Sequence, residues 1–361
     1  MFIHELESGL SGLLPPVAVD TEFHSEHRYL PKLLLVQLRG ADGEVRVVDP
    51  KAHVDLEPLG RALSGIPLLV HAGGNDLPLL AATTGLKPGS VMDPQILAAF
   101  AGLGFPRALG DLCREVLGVE LPGGQALTDW NRRPLEPQQV VYAAADVLHL
   151  HALVEALTER IPADRRGLAL AACAEARDAA LTPVDPQQAW KRIAAARVLD
   201  ATGRDILQRL AAWRELQART ANQPHWQVAS DAILLDLARR RPTSAEQMGA
   251  NRKFPKRLLK KPDAVLACVA AGQERDDGYP NNQDERARLV ALDGALLAWA
   301  SANEARGGIA ARLLLPQGLR TELSVRMLRG DDKRPDGWRG RSVPEMSQLV
   351  TELQVADLSG F

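Results

Sequence analysis

The first 50 residues alternate between short apolar runs and polar links, a pattern typical of β-strands. The apolar runs cover residues 17–23, 33–38 and 44–49, and a turn at 41–43 separates the last two. Three consecutive strands with tight links predict an antiparallel meander, with the strongly apolar second strand inside the sheet. Gln37 is the lone polar residue of that strand, and we expect a hydrogen-bonded sheet residue there rather than a ligand.

Helical patterns and one further strand follow. The predicted elements are a helix at 56–64, a strand at 67–70, a helix at 93–117 and a helix at 140–148. Asp93 is suited to cap its helix because Pro94 stands at the first helical position. Alternating strands and helices predict an α/β domain.

The second half of the chain is predicted to be all-helical. Residues 187–267 read as four or five helices, and residues 285–330 are helical again. Linkers are expected at 181–186 and 278–284, where proline, glycine and polar residues cluster. A chain of 361 residues is too long for one ordinary core. We therefore predict three domains, at 1–180, 187–267 and 280–361.

Charge is distributed unevenly between these parts. The net charge is -2, but residues 1–165 carry 13 basic and 21 acidic side chains, whereas residues 185–263 carry 16 basic and 8 acidic ones. An acidic front part joined to a basic segment is expected of a catalytic unit with a nucleic-acid-holding appendage. Ordinary surface scatter is the alternative explanation.

Cysteine usage and the absence of targeting signals indicate a cytoplasmic protein. Cys113, Cys173 and Cys268 are isolated and odd in number, as expected in a reducing compartment. The N-terminus shows no secretory signal, and no apolar run approaches the roughly 20 residues that span a bilayer. We expect no membrane association and no small-molecule organic cofactor.

The first predicted strand ends in two carboxylates, Asp20 and Glu22. Residues at i and i+2 of a strand point to the same face of the sheet, so the two like charges would stand side by side. Such an arrangement is costly unless a cation lies between them or one of them is protonated. The alternative is a solvated edge strand with two unrelated acids.

Two further carboxylates are candidates for the same site. Asp76 follows the strand at 67–70 through a glycine-rich turn, and Asp146 shares a helical face with Tyr142 at spacing i, i+4. Oxygen ligands without histidine or cysteine select hard cations such as Mg²⁺ or Mn²⁺. Two such ions stabilise an in-line phosphoryl displacement, and a tyrosine on that face can hold the attacking water.

Four motifs, in this order and at this spacing, resemble the ribonuclease D family, the DEDDy branch of the 3′–5′ exonucleases. They are Asp20-Thr21-Glu22-Phe23, the stretch from His71 to Leu77, Asp93-Pro94-Gln95-Ile96-Leu97, and the stretch from Tyr142 to Asp146. The resemblance continues through Asp129-Trp130 and Arg133-Pro134 and covers about residues 5–165. It implies an RNase H-like α/β domain with a mixed sheet flanked by helices. Residues 187–265 resemble the HRDC module of this family, and residues 285–361 resemble a second, more diverged one.

The resemblance also implies roles for individual residues. Asp20, Glu22 and Asp146 would bind a first divalent ion, and Asp20 would also bind a second, which Asp76 would hold directly or through water. Tyr142 would orient the attacking hydroxide. Thr21, Phe23 and His71 are expected to contact nucleic acid as well. Apart from the resemblance, the densest positive patch of the chain can neutralise phosphates and consists of Arg239, Arg240, Arg241, Arg252, Lys253, Lys256, Arg257, Lys260 and Lys261. A strand-end structural histidine is the alternative for His71.

The implied function is metal-dependent release of 5′-mononucleotides from RNA 3′ ends, with precursor tRNA as the family's substrate. The chain departs from the family at Gly123, Gly124 and Ala126, where a lysine and serines are common, which puts a phosphate-holding role of this loop in doubt. A 3′–5′ exonuclease acting on single-stranded DNA in repair is one alternative, because nothing in the sequence reads a 2′-hydroxyl. A non-catalytic nucleic-acid-binding protein is another.

Overall fold

The computed structural model describes residues 2–344 apart from 126, 127, 252, 253, 275 and 332, and only the backbone of residue 194. Within these residues, five strands form one sheet in the order β3-β2-β1-β4-β5. They are β1 (Val17–His24), β2 (Lys32–Arg39), β3 (Val45–Val48), β4 (Leu68–Leu69) and β5 (Val91–Met92). The first three pair antiparallel, whereas β4 runs parallel to β1 and to β5. The predicted meander and mixed sheet are confirmed, with β2 inside the sheet and β1 at its centre.

Eight α-helices accompany the sheet among the described residues. They are α1 (Leu6–Gly9), α2 (Glu57–Leu63), α3 (Asp76–Thr84), α4 (Pro94–Phe100), α5 (Leu109–Leu112), α6 (Pro137–Leu148), α7 (Leu150–Arg160) and α8 (Ala163–Leu181). The prediction of one helix over residues 93–117 is wrong. The chain leaves the helix after Phe100 because Gly102 and Gly104 adopt positive φ, and it resumes as α5 followed by a π-helical turn, Cys113–Leu117.

The rest of the described chain is helical, as predicted. Two 3₁₀ segments, Pro186–Arg192 and Ala194–Val198, precede α9 (Ala201–Ala221), α10 (His225–Val228), α11 (Asp231–Arg240), α12 (Ala245–Gly249), α13 (Lys256–Leu259) and α14 (Asp263–Ala270). Four more helices follow among the described residues: α15 (Gln283–Ala305), α16 (Ala311–Leu314), α17 (Gln317–Leu328) and α18 (Gly337–Ser342). The described residues of the 187–267 range thus contain six α-helices, where four or five were predicted, since three of them are single turns.

The helices after α14 share a hydrophobic core with the α/β domain. Leu296, Leu314 and Trp338 belong to the same buried cluster as Phe100 and Leu153. The Phe100 and Trp338 rings lie 5.4 Å apart. The 280–361 boundary stays a prediction, and residues 345–361 of that range lie outside the described residues.

One helical stretch, Pro137–Arg160, is long and apolar enough to cross a membrane by length and composition alone. Asp146 and Glu155 interrupt this stretch, and the expectation of no membrane association stays a prediction. The stretch consists of α6 and α7, which meet at His149. Its buried side chains, such as Val147 and Leu153, belong to the core beside the sheet. Core helices of folded domains meet the same length and composition criteria.

Strand β1 positions the acidic site because its two faces contact different helices. Val17 and Val19 join the cluster formed with α2 and α3, whereas Ala18 joins the cluster formed with α4 and α7. Side chains alternate along a strand, so Asp20 and Glu22 continue the face of Ala18. This face contacts α6, the helix that carries Tyr142 and Asp146.

Candidate active site

Three carboxylates from β1 and α6 converge. One oxygen each of Asp20, Glu22 and Asp146 lies within 4.8 Å of the other two, and all three side chains are partly exposed. The strand spacing brings the first two together, and the packing of α6 on β1 supplies the third. All three belong to the set predicted from the sequence.

Burial and mutual repulsion favour the protonated forms of these acids. Burial raises the pKa of Glu22 to about 8, with Asp146 and Asp76 contributing, and burial raises the pKa of Asp146 to about 7. The pKa of Asp20 is also raised well above its usual range, by burial and then by Asp76, Asp146 and Glu22. A dication would relieve this repulsion, and an all-oxygen donor set suits a hard cation. The residues present therefore fit a divalent metal site.

Asp76 stands beside this group rather than in it. It is buried at the start of α3 and accepts a hydrogen bond from the Thr21 hydroxyl. Burial raises the pKa of Asp76, although the hydrogen bond from Thr21 opposes this. The Thr21 side chain therefore orients an acid, and the predicted contact of Thr21 with nucleic acid stays a prediction.

Tyr142 lies one helical turn before Asp146 and is partly buried. Burial and then Asp146, Glu22 and Asp20 raise the pKa of its phenol to about 12. The hydroxyl therefore stays protonated at neutral pH and can donate a hydrogen bond. The ring of buried Trp130 lies 6.1 Å from the Tyr142 ring, and both belong to one hydrophobic cluster.

The loop that carries Trp130 is fixed to the sheet by Arg133. Its guanidinium donates to both carboxylate oxygens of Asp49, at 2.5 and 2.7 Å, and to the carbonyls of Leu34 and Trp130. A bidentate pair of this kind fixes orientation as well as distance. Through these contacts, the Asp-Trp and Arg-Pro motifs hold Trp130 in place next to the Tyr142 ring.

A turn with an unfavourable backbone conformation directly precedes Asp76. Ala72 adopts φ +55°, a conformation that is unfavourable for a residue with a side chain. Asp93 stabilises this turn: one carboxylate oxygen accepts from the amides of Ala72, at 3.0 Å, and Gln95, at 2.8 Å. The predicted helix cap is confirmed, and Asp93 also ties the turn before Asp76 to α4.

His71 lies at the start of this turn and is partly buried, and its Nδ1 atom is buried without a hydrogen-bond partner among the described residues. Burial lowers the pKa of His71 to about 4, although a hydrogen bond to the backbone of Arg107 opposes this. The ring is therefore neutral at physiological pH. A contact with nucleic acid stays a prediction.

Gln37 was expected to be a hydrogen-bonded sheet residue, and this is wrong. Its side chain is fully buried, yet neither amide atom has a partner among the described residues. Gln37 pairs with Asp20 in the β1–β2 register, so the two side chains lie on the same face of the sheet. A lone polar residue in an apolar strand was the signal that could have marked it as unusual.

Phe23 follows a β-bulge after Glu22 and packs against the cluster of α2 and α3. The bulge ends the regular alternation of β1 at the last acid. Of the loop that departs from the family, Gly123 and Gly124 are exposed, and Ala126 lies outside the described residues.

The predicted basic patch is partly neutralised. Arg240 pairs with Asp236, and Arg241 pairs with Asp200, both at 2.5 Å. The remaining members have no ion pair within the described part of the chain and are exposed: Arg239, Lys256, Arg257, Lys260 and Lys261. Arg252 and Lys253, which the sequence placed in the same patch, lie outside the described residues. The exposed cations of this patch therefore centre on α13 and the residues after it.

Comparison with known families matches both parts of this architecture. Residues 3–162 match the 3′–5′ exonuclease family model, and residues 203–270 match the HRDC domain model. The second match covers one HRDC module, so the predicted second module after α14 stays a prediction.

Curated relatives are ribonuclease D proteins. The chain is 34% identical to that of Gluconacetobacter diazotrophicus over 79% of this chain and 75% of the relative. It is 38% identical to that of Sphingobium indicum over 66% of this chain and 62% of the relative. Among solved structures, Escherichia coli RNase D, described as an exoribonuclease involved in structured RNA processing, matches with a TM-score of 0.78 and 27% identity over 98% of both chains.

Proposed function

This chain belongs to the ribonuclease D family and is a 3′–5′ exoribonuclease, and we propose that Asp20, Glu22, Asp76, Tyr142 and Asp146 carry its chemistry with two divalent ions. Exonucleases of this family are metal-dependent. The observation that carries the proposal is the convergence of three carboxylates whose pKa values are all raised without a cation.

In the proposed assignment, Asp20, Glu22 and Asp146 would hold one ion, and Asp20 and Asp76 would hold the other. Bound dications would neutralise charge on the attacking and leaving oxygens of an in-line displacement at phosphorus. The hydrogen bond from Thr21 keeps Asp76 oriented as an acceptor. Hard oxygen ligands favour Mg²⁺ or Mn²⁺.

Tyr142 is proposed to position the attacking water through its phenolic hydroxyl. Its raised pKa keeps the proton on the oxygen, so it acts as a donor that orients rather than as a base. The support from Trp130 suits that role, because a nucleophile must be held within a few tenths of an ångström.

The substrate is RNA, and we propose that precursor tRNA is the form trimmed. The HRDC module would hold the structured part through the exposed cations around α13 while the 3′ end enters the acidic site. The processing of structured RNA by the Escherichia coli relative supports this substrate class.

The test is degradation of a 3′-extended tRNA precursor and a single-stranded DNA of the same sequence, with Mg²⁺, Mn²⁺ or EDTA. We expect stepwise release of 5′-mononucleotides from RNA only with a metal, and loss of product with Asp20→Asn. Degradation in EDTA, or an unaffected Asp20→Asn variant, would contradict the proposal. Faster degradation of the DNA would point to the alternative substrate.

A further inference from the structure

A cavity of about 840 Å³ lies between the nuclease domain and the first helical module. Its nuclease wall includes Tyr29 and Leu30, from the loop after β1, and Asn75. Its opposite wall includes His225 and Trp226. Asn75 directly precedes Asp76, so one end of this interdomain cleft adjoins the residue before that acid.

A buried carboxylate joins the two walls. Glu215 accepts hydrogen bonds from the Tyr29 hydroxyl at 2.5 Å and from Arg219 at 2.8 Å, and it pairs with His225 at 2.6 Å. The Leu30 amide donates to the Asn222 side chain at 2.9 Å. These contacts fix the helical module next to the loop that follows Asp20 and Glu22.

The charges left over in the cleft are positive. Both acids on its helical wall are compensated: Glu215 by the contacts above, and Asp231 by Arg214 at 2.7 Å. Arg28 and Arg192 also line the cleft, are exposed, and have no ion pair in the described ranges. A cleft with two unpaired guanidinium groups attracts phosphate.

Trp226 presents an indole to this cleft and is 62% exposed. By contrast, Trp130, Trp190 and Trp338 are at most 7% exposed. A large exposed aromatic ring next to unpaired arginines is the arrangement by which proteins bind single-stranded nucleic acid, because every base offers a π-face for stacking.

We propose that the interdomain cleft binds the single-stranded RNA segment upstream of the 3′-terminal nucleotide. One base stacks on Trp226, and Arg28 and Arg192 contact the phosphates. The proposal deepens the exonuclease function and rests on it. Since stacking and phosphate contacts ignore base identity, the cleft accepts any single-stranded sequence, as trimming of varied 3′ ends requires.

Binding is tested with the full chain carrying Asp20→Asn, so that the RNA stays intact. A single-stranded oligonucleotide in Mg²⁺ should quench tryptophan fluorescence, and Trp226→Leu should remove the quenchable signal and weaken binding about tenfold. Trp226→Phe, which keeps an aromatic ring, should retain most of the affinity. The double variant Arg28→Gln/Arg192→Gln should reduce the magnitude of the slope of log affinity against log salt concentration by about 1.4. Each of the two lost phosphate contacts accounts for roughly 0.7 of this change.

Arg306→Gln is the matched control, because Arg306 is exposed directly after the C-terminus of α15 and lies outside the cleft. It should leave affinity and salt slope near those of the parent. Equal affinity of Trp226→Leu and the parent would overturn the proposal. Quenching of Trp226 by a blunt RNA duplex as strong as that by the single strand would also overturn it.

Activity separates this inference from the underlying function. In the otherwise native enzyme, Trp226→Leu should raise KM for a single-stranded RNA of ten nucleotides about tenfold and leave hydrolysis of a dinucleotide unchanged. If the native enzyme degrades no RNA, the exonuclease function itself fails. If it degrades RNA and Trp226→Leu leaves both KM values unchanged, only the cleft proposal fails.

Discussion

The side chain of Thr21 donates a hydrogen bond to the carboxylate of Asp76, although the two residues are 55 positions apart in the chain. Thr21 stands between Asp20 and Glu22 on β1, but its side chain points to the opposite face, toward α3. The central strand thus presents Asp20 and Glu22 on one face, and through Thr21 on its other face it orients Asp76.

Removal of the Thr21 hydroxyl should impair the site without unfolding it. Thr21→Val keeps the shape but leaves buried Asp76 without that donor, which raises the pKa of Asp76 further. We expect kcat at pH 7 to fall about tenfold, since a hydrogen bond to a charged group contributes roughly 1.5–3 kcal/mol. Thr21→Ser keeps the donor and should retain most activity. Kinetics across Mg²⁺ concentrations measure the effect, and wild-type kinetics for Thr21→Val would contradict it.

Neutralising one acid should stabilise the metal-free protein. The pKa values of Asp146, about 7, and Glu22, about 8, are raised, so the folded state binds more protons than the unfolded state between about pH 4.5 and 8. Unfolding free energy therefore falls as pH rises through this window. Asp146→Asn should raise Tm in EDTA at pH 7.5 by roughly 2–6 °C, and less at pH 5.

Calorimetry at both pH values, with and without Mg²⁺, measures this effect. Mg²⁺ should raise the Tm of the wild type more than that of Asp146→Asn, because the cation and the substitution relieve the same repulsion. An Asp146→Asn variant that is less stable than the wild type in EDTA would contradict the description of the acids as mutually repelling.

Gln37→Leu should raise stability. The buried amide of Gln37 has no hydrogen-bond partner among the described residues, and an unsatisfied buried polar group costs about 1–3 kcal/mol. We expect an increase in unfolding free energy of about 1 kcal/mol in urea denaturation.

Gln139 is the matched control for Gln37. It is also buried, but it caps α6 and donates to Thr128 at 3.0 Å. Gln139→Leu should therefore destabilise the protein. Destabilisation by Gln37→Leu as large as that by Gln139→Leu would mean that the Gln37 amide is satisfied in solution.

Contact between the two domains should depend on the ionised form of Glu215. Burial raises the pKa of Glu215, but hydrogen bonds from Tyr29, His225 and Arg219 outweigh this and lower it. A lowered pKa gives stability that is present above the usual value of 4.5 and is lost as pH falls through the folded pKa.

Glu215→Gln should therefore cost about 1–3 kcal/mol at pH 7, and the difference from the wild type should shrink below pH 4.5. Glu246→Gln, at an exposed position on α12, is the control and should be neutral. Urea titrations at several pH values measure both variants. A pH-independent difference would show that the charge of Glu215 does not hold the interface.

The first strand of the sheet and the pairing of Asp20 with Glu22 could be predicted from the local sequence pattern. Alternation along residues 17–23 predicts a strand, and the i, i+2 spacing of Asp20 and Glu22 places both on one face whatever the tertiary packing. The positions of Asp146 and Tyr142 on one helical face follow in the same way. Such regularities depend only on backbone geometry, so a single sequence reveals them.

Other features depend on tertiary packing and could not be read from the chain. The Thr21–Asp76 hydrogen bond and the pairing of Arg241 with Asp200 join residues remote in sequence. The unsatisfied amide of Gln37 depends on every side chain around it. The cleft beside Trp226 exists only because the helical module is fixed next to the loop after β1.

The central claim is that Asp20 holds both ions, whereas Tyr142 only orients water. The claim is tested by comparing how far two substitutions lower the rate of RNA cleavage. Single-turnover rates of RNA cleavage at saturating Mg²⁺ should be compared for Asp20→Asn and Tyr142→Phe, with circular dichroism to check folding. We predict that Asp20→Asn loses at least 10³-fold in rate and Tyr142→Phe about 10²-fold, the scale of one positioned polar group. A well-folded Asp20→Asn variant with more activity than Tyr142→Phe would contradict the claim.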